Sequence, residues 1–428
     1  MTKQLLLGQT LAFAGDPFLT PWEDVAQHNP AGGVLVEDGL IIAVGDAARL
    51  RRDHRDAQVT DYGDHLICPG FVDAHMHYPQ TGIIASWGKQ LIDWLNTYTF
   101  PEEARFGDKT YADTVAARTL DLALAHGTTT LTSFCTIHPE SVDAFFEAAA
   151  LRNMAVVAGK TCMDRNAPDD LRDTAQSAYD DSKALLARWH AKGRAHYAIT
   201  PRFSPTSTKD QLTALGALWA EHPEVLMQTH LSEQPDEVAW VQDLFPQARD
   251  YLDTYEAFGL LGENALLGHA IHLKPREVDR LAEVGAALVH CPTSNTFIGS
   301  GLMKVAALKA RNISVGLATD TGGGSSFSML RTMAAAYEVG QLAGTALHPA
   351  QLMWLASEGS ARALKMGGKI GHLGVGAAAD LCVIDLAATP VIAQRADRAA
   401  DFWDTLFPTI MMGDDRAIAA TWVAGKPV

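Results

Sequence analysis

An eight-stranded (β/α)8 barrel, an α/β fold of the TIM type, is what this sequence predicts, joined to a small β-sandwich built from the two chain termini. Three observations predict it. Eight short apolar runs lie along the middle of the chain. Segments of helical period separate them. Both ends are rich in short β-type segments.

The N-terminal segment, residues 1–66, holds Leu5-Leu6-Leu7, Leu11-Ala12-Phe13 and a hairpin over Gly33–Gly45 with Asp38-Gly39 as its turn. Residues 375–428 look alike, with strands over Ala379–Asp385 and Ala417–Val423. The two segments are expected to form one composite β-sandwich domain around a barrel at 67–374. The eight barrel runs centre on Ile67–Asp73, Thr128–Phe134, Ala155–Thr161, His196–Pro201, Leu226–Leu231, Ala265–Ala270, Ala286–Cys291 and Ser314–Thr319. Between them, Tyr111–Ala125, Pro139–Arg152, Thr174–Ala191, Thr208–Glu221 and Arg276–Val284 carry helical period. A doubly wound open sheet would want a Gly-rich turn after its first strand, and none is there. There is no phosphate-loop motif, and no repeat beyond the βα alternation.

The length of 428 residues suits such a barrel with an appended domain, and 47% hydrophobic with 20% charged residues is ordinary for a globular chain. A net charge of −16 repels polyanions, which argues against nucleic acid and anionic membranes as partners. The run Met1–Gly8 is too short for a signal h-region, and no stretch approaches the length of a transmembrane helix. Five cysteines, an odd number with no CxxC spacing, read as buried thiols in a reducing compartment. A cytoplasmic location is therefore expected.

Reactive residues of a barrel sit at the C-terminal ends of its strands. Strand 1 ends Asp73-Ala74-His75-Met76-His77, and alternation points His75 and His77 the same way. Strand 5 ends Thr229-His230-Leu231-Ser232-Glu233, strand 6 Gly268-His269-Ala270, and strand 8 Ala318-Thr319-Asp320. His75, His77, His230 and Asp320 can reach one ion. Three imidazoles and a carboxylate suit zinc, or ferrous iron, with a position left for water. A single His at a strand end is ordinarily a hydrogen-bonded polar residue, and His-x-His alone is a weak motif. Four donors at the ends of three well-spaced strands carry the metal reading.

The run Pro69–His77 resembles the strand-1 signature of the amidohydrolase superfamily, and His230, His269 and Asp320 fall where that superfamily places its other active-site residues. The superfamily also carries a terminal β-sandwich. Within it, the chain resembles the guanine deaminase family at Leu91–Glu103, the most specific segment, and at His77-Tyr78-Pro79-Gln80, Pro201-Arg202-Phe203, His230–Glu233 and His290–Asn295. The likeness runs from the first barrel strand to Gly413-Asp414-Asp415-Arg416, most of the chain.

The resemblance implies hydrolytic deamination of guanine to xanthine and ammonia, a small-molecule purine substrate, and a homodimer. It implies one divalent ion, Zn2+ or else Fe2+, bound by His75, His77, His230 and Asp320. Two-metal members carry a bridging lysine at the end of strand 4; here that strand ends Thr200-Pro201-Arg202. Lys160, on strand 3, could alter that count, and reads otherwise as a lysine near the barrel rim. By the same resemblance the ion lowers the pKa of its water to roughly 7. Asp320 accepts the water proton, His269 orients the nucleophile, and Glu233 protonates a ring nitrogen and later the departing ammonia. Gln80 and Arg202 suit the polar edge of guanine. His77, Glu233 and Asp320 also face the substrate. Phe203 either stacks on the purine or packs in the core. Trp87, Trp94 and Phe100 either line or cap the pocket or are simply buried.

Another amino-heterocycle, such as 8-oxoguanine or an aminotriazine, is the nearest alternative substrate. A non-catalytic barrel kept as an assembly module should have lost its ligands, and this chain retains them. The cytidine-type zinc deaminases use H-x-E with P-C-x-x-C. His138-Pro139-Glu140 and His222-Pro223-Glu224 match the first half, but the absence of any P-C-x-x-C excludes that scaffold.

Overall fold

Short apolar alternation at the N-terminus produces β1 (Gln4–Phe13), β2 (Ala26–Glu37), β3 (Leu40–Asp46) and β4 (Gln58–Pro69). The structure is a computed structural model and describes residues 3–88 and 90–428; Met1 and Thr2 of the N-terminal run and Lys89 lie outside it. The Asp-Gly turn forms where the sequence places it. Asp38 and Gly39 take φ of 52° and 81°, and the ladder pairs Glu37 with Leu40.

The next strands are β5 (Phe71–His77), β6 (Thr128–Phe134), β7 (Ala155–Gly159), β8 (Thr161–Cys162), β9 (Ala195–Pro201), β10 (Leu226–Leu231), β11 (Ala265–His269), β12 (Ala287–His290) and β13 (Ser314–Leu317). The C-terminal part adds β14 (Leu381–Ile384), β15 (Ile418–Val423) and β16 (Lys426–Pro427). Two sheets result. The termini make a seven-stranded sheet in the order β16-β15-β14-β4-β1-β2-β3. Its two faces follow from strand alternation. Leu6, Val34 and Val36 pack with Leu381 and Trp422 on one side. Leu5, Leu7 and Leu35 pack on the other beneath Leu50 of the helix Ala47–Asp53.

The second sheet runs β5-β6-β7-β9-β10-β11-β12-β13, with β8 paired beside β9. The ladders from β7 through β9, β10, β11 and β12 to β13 are parallel. The ends of the path meet: Asp320 N donates to His75 O at 2.9 Å, and His77 N donates to Thr321 O at 2.6 Å. This is the eight-stranded barrel that the alternation of strands and helices predicts. Strands buried on both faces read as continuous runs, and every residue of β6 is buried.

One expected strand divides. The run read as a single strand over Ile67–Asp73 breaks at Gly70, with Pro69 ending a strand of the terminal sheet and Phe71 opening a barrel strand. A Cβ on Gly70 would lie 2.3 Å from Thr129 Oγ1, so only glycine fits this close crossing. Helices Lys109–Ala125, Pro139–Arg152, Ala175–Trp189, Lys209–Glu221 and Pro275–Val284 occupy the segments of helical period. The chain groups into two compact units, one of residues 1–73, 121–130 and 327–428, the other of 74–120 and 131–326. The second unit holds every candidate site residue. No helix among the described residues is long and apolar enough to cross a membrane. All five cysteines are buried and none is in a disulfide.

Candidate active site

His75 and His77 alternate to the same face of β5, His230 projects from β10, and Asp320 follows β13. The structure brings these four together. His75 Nε2 and His77 Nε2 lie 3.4 and 3.6 Å from Asp320 Oδ1, and His77 Nε2 lies 3.1 Å from His230 Nε2. His230 Nδ1 donates to the Arg202 carbonyl at 2.7 Å, and a carbonyl only accepts. The neutral ring of His230 therefore turns a bare Nε2 toward His77. Burial, with further repulsion from its imidazole neighbours, holds His77 and His230 well below the usual histidine range, and burial also lowers His75. Neutral imidazoles are the form that ligates a cation. Burial alone would raise Asp320, but hydrogen bonding and charge from His75, then His269 and His230, bring it down to about 2. Buried lone pairs converging beside an ionised carboxylate fit a divalent ion of borderline softness. A second overlapping set of donor atoms (His75, His269, Cys291 and Asp320) also lies within 4.8 Å.

The backbone at these strand ends is bent in one way. Ser232, His269, Ala270 and Asp320 all adopt positive φ, of 48°, 67°, 47° and 48°. Left-handed non-glycine residues cost of order 1 kcal/mol and persist where the surroundings over-determine them. Here the Leu231 and Ser232 carbonyls accept N–H groups from Ala270 and Ile271, which locks the ends of β10 and β11 together. The turn at Ser232 carries Glu233 into the cavity, where it is buried.

Glu233 Oε2 lies 3.5 Å from His269 Nε2, which in turn lies 3.8 Å from Asp320 Oδ2. Desolvation, with the nearby Glu237 and Asp320 carboxylates, outweighs His269 and Ser300 and raises Glu233 to about 7. A carboxyl poised near neutrality can both give and take a proton. Burial opposes charge on His269, but Glu233 and Asp320, with a hydrogen bond to Asn295, outweigh it and raise its pKa. Two further side chains hold this pair. Asn295 Oδ1 lies 2.9 Å from His269 Nδ1, fixing that nitrogen as the donor, and Ser300 Oγ donates to Glu233 Oε1 at 3.1 Å.

The remaining wall is a recognition edge. A cavity is lined by His77, Gln80, Arg202, Glu233, His269 and Asp320, with Leu91, Trp94, Leu95, Phe203 and Ile298 as its apolar sides. Phe203 packs in the core, as one of its two readings expects, and faces the cavity as well. Its apolar cluster includes Trp94 and Phe100. Phe100 is buried behind the edge, its ring 5.6 Å from the Arg202 guanidinium carbon. Trp87 departs from expectation: it is 76% exposed and does not line this cavity. Lys160, expected near the barrel rim, directly follows β7. It is buried, and its ammonium pairs with Asp173, whose other oxygen accepts from Gln211 Nε2 at 2.6 Å.

Glu103, Asn295 and Ser300 were not singled out from the sequence. Glu103 is 0% exposed, accepting from Gln80 Nε2 at 2.8 Å and from Arg202 Nη1 at 2.6 Å. It ends the second of two α segments, Leu91–Trp94 and Phe100–Glu103; a 3-10 turn, Ala104–Gly107, follows, and the two segments are separated by a π-helical turn, Leu95–Thr99. Such turns often accompany functional sites, but the sequence signal is only a shifted apolar spacing.

A family model described as the amidohydrolase family matches residues 66–428, and one for an imidazolonepropionase-like composite domain of bacteria matches 32–57. The chain is 44% identical to guanine deaminase of Escherichia coli (strain K12) over 93% of this chain and 91% of that one. The solved structure of the E. coli guanine deaminase superposes with a TM-score of 0.96 at 41% identity, covering 99% of each chain. A guanine deaminase from C. acetobutylicum, solved with guanine bound in its active site, superposes at 0.90 with 28% identity over 100% of each chain.

Proposed function

The chain belongs to the amidohydrolase family, in its guanine deaminase branch, and from that premise we propose that it hydrolyses guanine to xanthine and ammonia. The observation that carries this reading is the placement of Gln80 and Arg202 on the same cavity as the imidazole–carboxylate cluster. A purine's polar edge and its reacting carbon can be held at once.

His75, His77, His230 and Asp320 are the residues that would hold one divalent ion, most simply Zn2+. Such an ion lowers the pKa of a water to about 7 and so supplies the nucleophile at neutral pH. The rest is the chain's own work. Gln80 and Arg202 grip the polar edge of guanine, and Phe203 packs beside the ring. Glu233 gives its proton to the ring nitrogen next to the amino-bearing carbon, making that carbon electrophilic. Asp320, ionised across the working range, takes a proton from the attacking water, with His269 orienting that water. Glu233 then takes up the proton of the new hydroxyl and passes it to the amino group, so that the C–N bond breaks and ammonia leaves as the carbonyl of xanthine forms. The proton held by Asp320 returns to Glu233 to reset the pair. The two compositional parts, 1–66 with 375–428 and 67–374, divide into a β domain and a catalytic barrel. A homodimer in the cytoplasm completes the reading.

The test measures bound metal, then ammonia released from guanine, 8-oxoguanine, adenine and cytosine. Release from guanine above all others is expected. A metal-loaded sample that leaves guanine untouched defeats the proposal.

A further inference from the structure

We propose that Glu103 is a specificity-determining positioning residue, which acts through Gln80 and Arg202 to dictate which hydrogen-bonding pattern a purine must present. This rests on the deaminase reading above.

Two consecutive glutamates end the α segment Phe100–Glu103, and they part company. Glu102 bonds to Tyr111 and to Arg105, the latter at 3.0 Å. Glu103 takes no part in that cluster and reaches the pocket residues instead. Its two oxygens are divided, Oε1 accepting from Gln80 Nε2 and Oε2 from Arg202 Nη1. All three side chains are buried, at 0%, 2% and 3% exposure. A buried guanidinium demands a carboxylate partner, and Glu103 stands 2.6 Å from Arg202 Nη1 in that place.

The consequence falls on the Gln80 amide. A carboxylate is acceptor-only, so the amide must turn its NH2 toward Glu103. Its Oε1 is then left for the cavity that Gln80 lines. Without Glu103 the amide could rotate by half a turn and offer a donor instead. Arg202 uses Nη1 on the carboxylate, with Nε and Nη2 not engaged by Glu103. The edge therefore reads as an acceptor beside donors. Guanine's lactam edge, N1–H beside C6=O, is its complement. 2,6-Diaminopurine keeps the reacting 2-amino group but reverses that edge, with a bare N1 beside an amino group. It sets acceptor against acceptor and donor against donor. Sites built on buried polar pairs reject such analogues by about 10⁴-fold.

The measurement is kcat/KM for guanine and for 2,6-diaminopurine, on metal-loaded wild type, Glu103→Gln, Gln80→Ala and the double variant. Wild type should prefer guanine by at least about 10³-fold. Glu103→Gln should lose about ten- to a hundredfold on guanine, mainly in KM, and its preference should shrink by at least about tenfold. In the Gln80→Ala background the same substitution should leave the preference nearly unchanged. A preference that survives in Glu103→Gln overturns the proposal, because Glu103 is then a mere counter-ion. So does an equal loss of preference in both backgrounds. If Glu103→Gln fails to fold, wild type alone still decides: comparable turnover of the two purines overturns the inference while leaving guanine deamination intact. Wild type inert toward guanine would instead remove the functional reading itself.

Discussion

Glu233→Gln should make the site slower and the fold firmer. The substitution keeps the side chain's shape and an oxygen for the Ser300 hydroxyl, which donates at 3.1 Å, but removes the exchangeable proton. A positioned proton-transfer group is worth about 10²–10⁴-fold in rate, so kcat for ammonia release should fall by that range with metal content unchanged. The stability change has the opposite sign. Burial and neighbouring carboxylates raise Glu233 from an ordinary 4.5 to about 7. The folded state thus holds this proton more tightly than the unfolded chain. The associated stability is complete below about pH 4.5 and is lost as pH rises through 7, amounting to about 3 kcal/mol once the group is ionised. The amide never ionises. In chelator-treated protein, where no bound cation offsets the negative charge, the variant should unfold at higher denaturant than wild type at pH 8 and should match it near pH 4.5. Ammonia release and urea titration at the two pH values suffice. A fully metallated variant that turns over within tenfold of wild type refutes the proton-carrying role. A variant less stable at pH 8 refutes the electrostatic account of its burial.

Other perturbations bear on the same architecture. Gly268→Ala places a Cβ 3.1 Å from His75 Cε1, so His75 must shift by a few tenths of an ångström. Chelator competition should find metal affinity reduced about 10–100-fold, with little change in the melting of the stripped protein; unchanged affinity would contradict the ligand assignment. Asn295→Ala leaves the buried His269 Nδ1–H without its acceptor, and kcat should fall roughly tenfold while Asn295→Asp recovers most of it. Failure of Asp to rescue where Ala is impaired would show that the contact serves packing only. His290 is fully buried, and burial lowers its pKa from 6.5 to about 3. The unfolded chain binds that proton first, so stability present above pH 6.5 drains away as pH falls toward 3, by up to about 5 kcal/mol. His290→Leu should flatten the acid limb of the stability curve by a comparable amount, and an unaltered limb would assign acid sensitivity to other groups.

Much of the site can be read from strand ends. His75, His77, His230, His269 and Asp320 occupy positions where a barrel exposes side chains, and alternation tells which neighbours share a face. The apolar runs locate seven of the eight strands to within a residue or two, because strands buried on both faces leave continuous runs. The run at Ile67–Asp73 misleads because a steric crossing at Gly70, invisible in its own neighbourhood, ends one strand and starts another. Glu103 and Ser300 act through contacts made across long sequence separations, Glu103 lying 99 positions from Arg202 and Ser300 67 positions from Glu233. No spacing rule encodes such pairs. Lys160 is the same lesson for charge. A lone lysine near a barrel rim does not announce its partner, and here Asp173 follows it into the interior and neutralises it there.

The hydrogen bonds from Asp320 N to His75 O and from His77 N to Thr321 O bear on when the site comes into being. Two of the imidazoles belong to the first barrel strand to be synthesised, whereas the carboxylate follows the last. The donor set is therefore incomplete in any chain whose ring has not shut, and such late, non-local pairing is the slow part of folding. Cation loading can only come afterwards, as a latch dropped across an already closed hoop. Once in place it binds the folded form alone and pulls the equilibrium toward it. Hydrogen exchange at His77 and Asp320 should then be the most ion-sensitive in the barrel, because opening the ring there releases the cation and the last-formed bonds together.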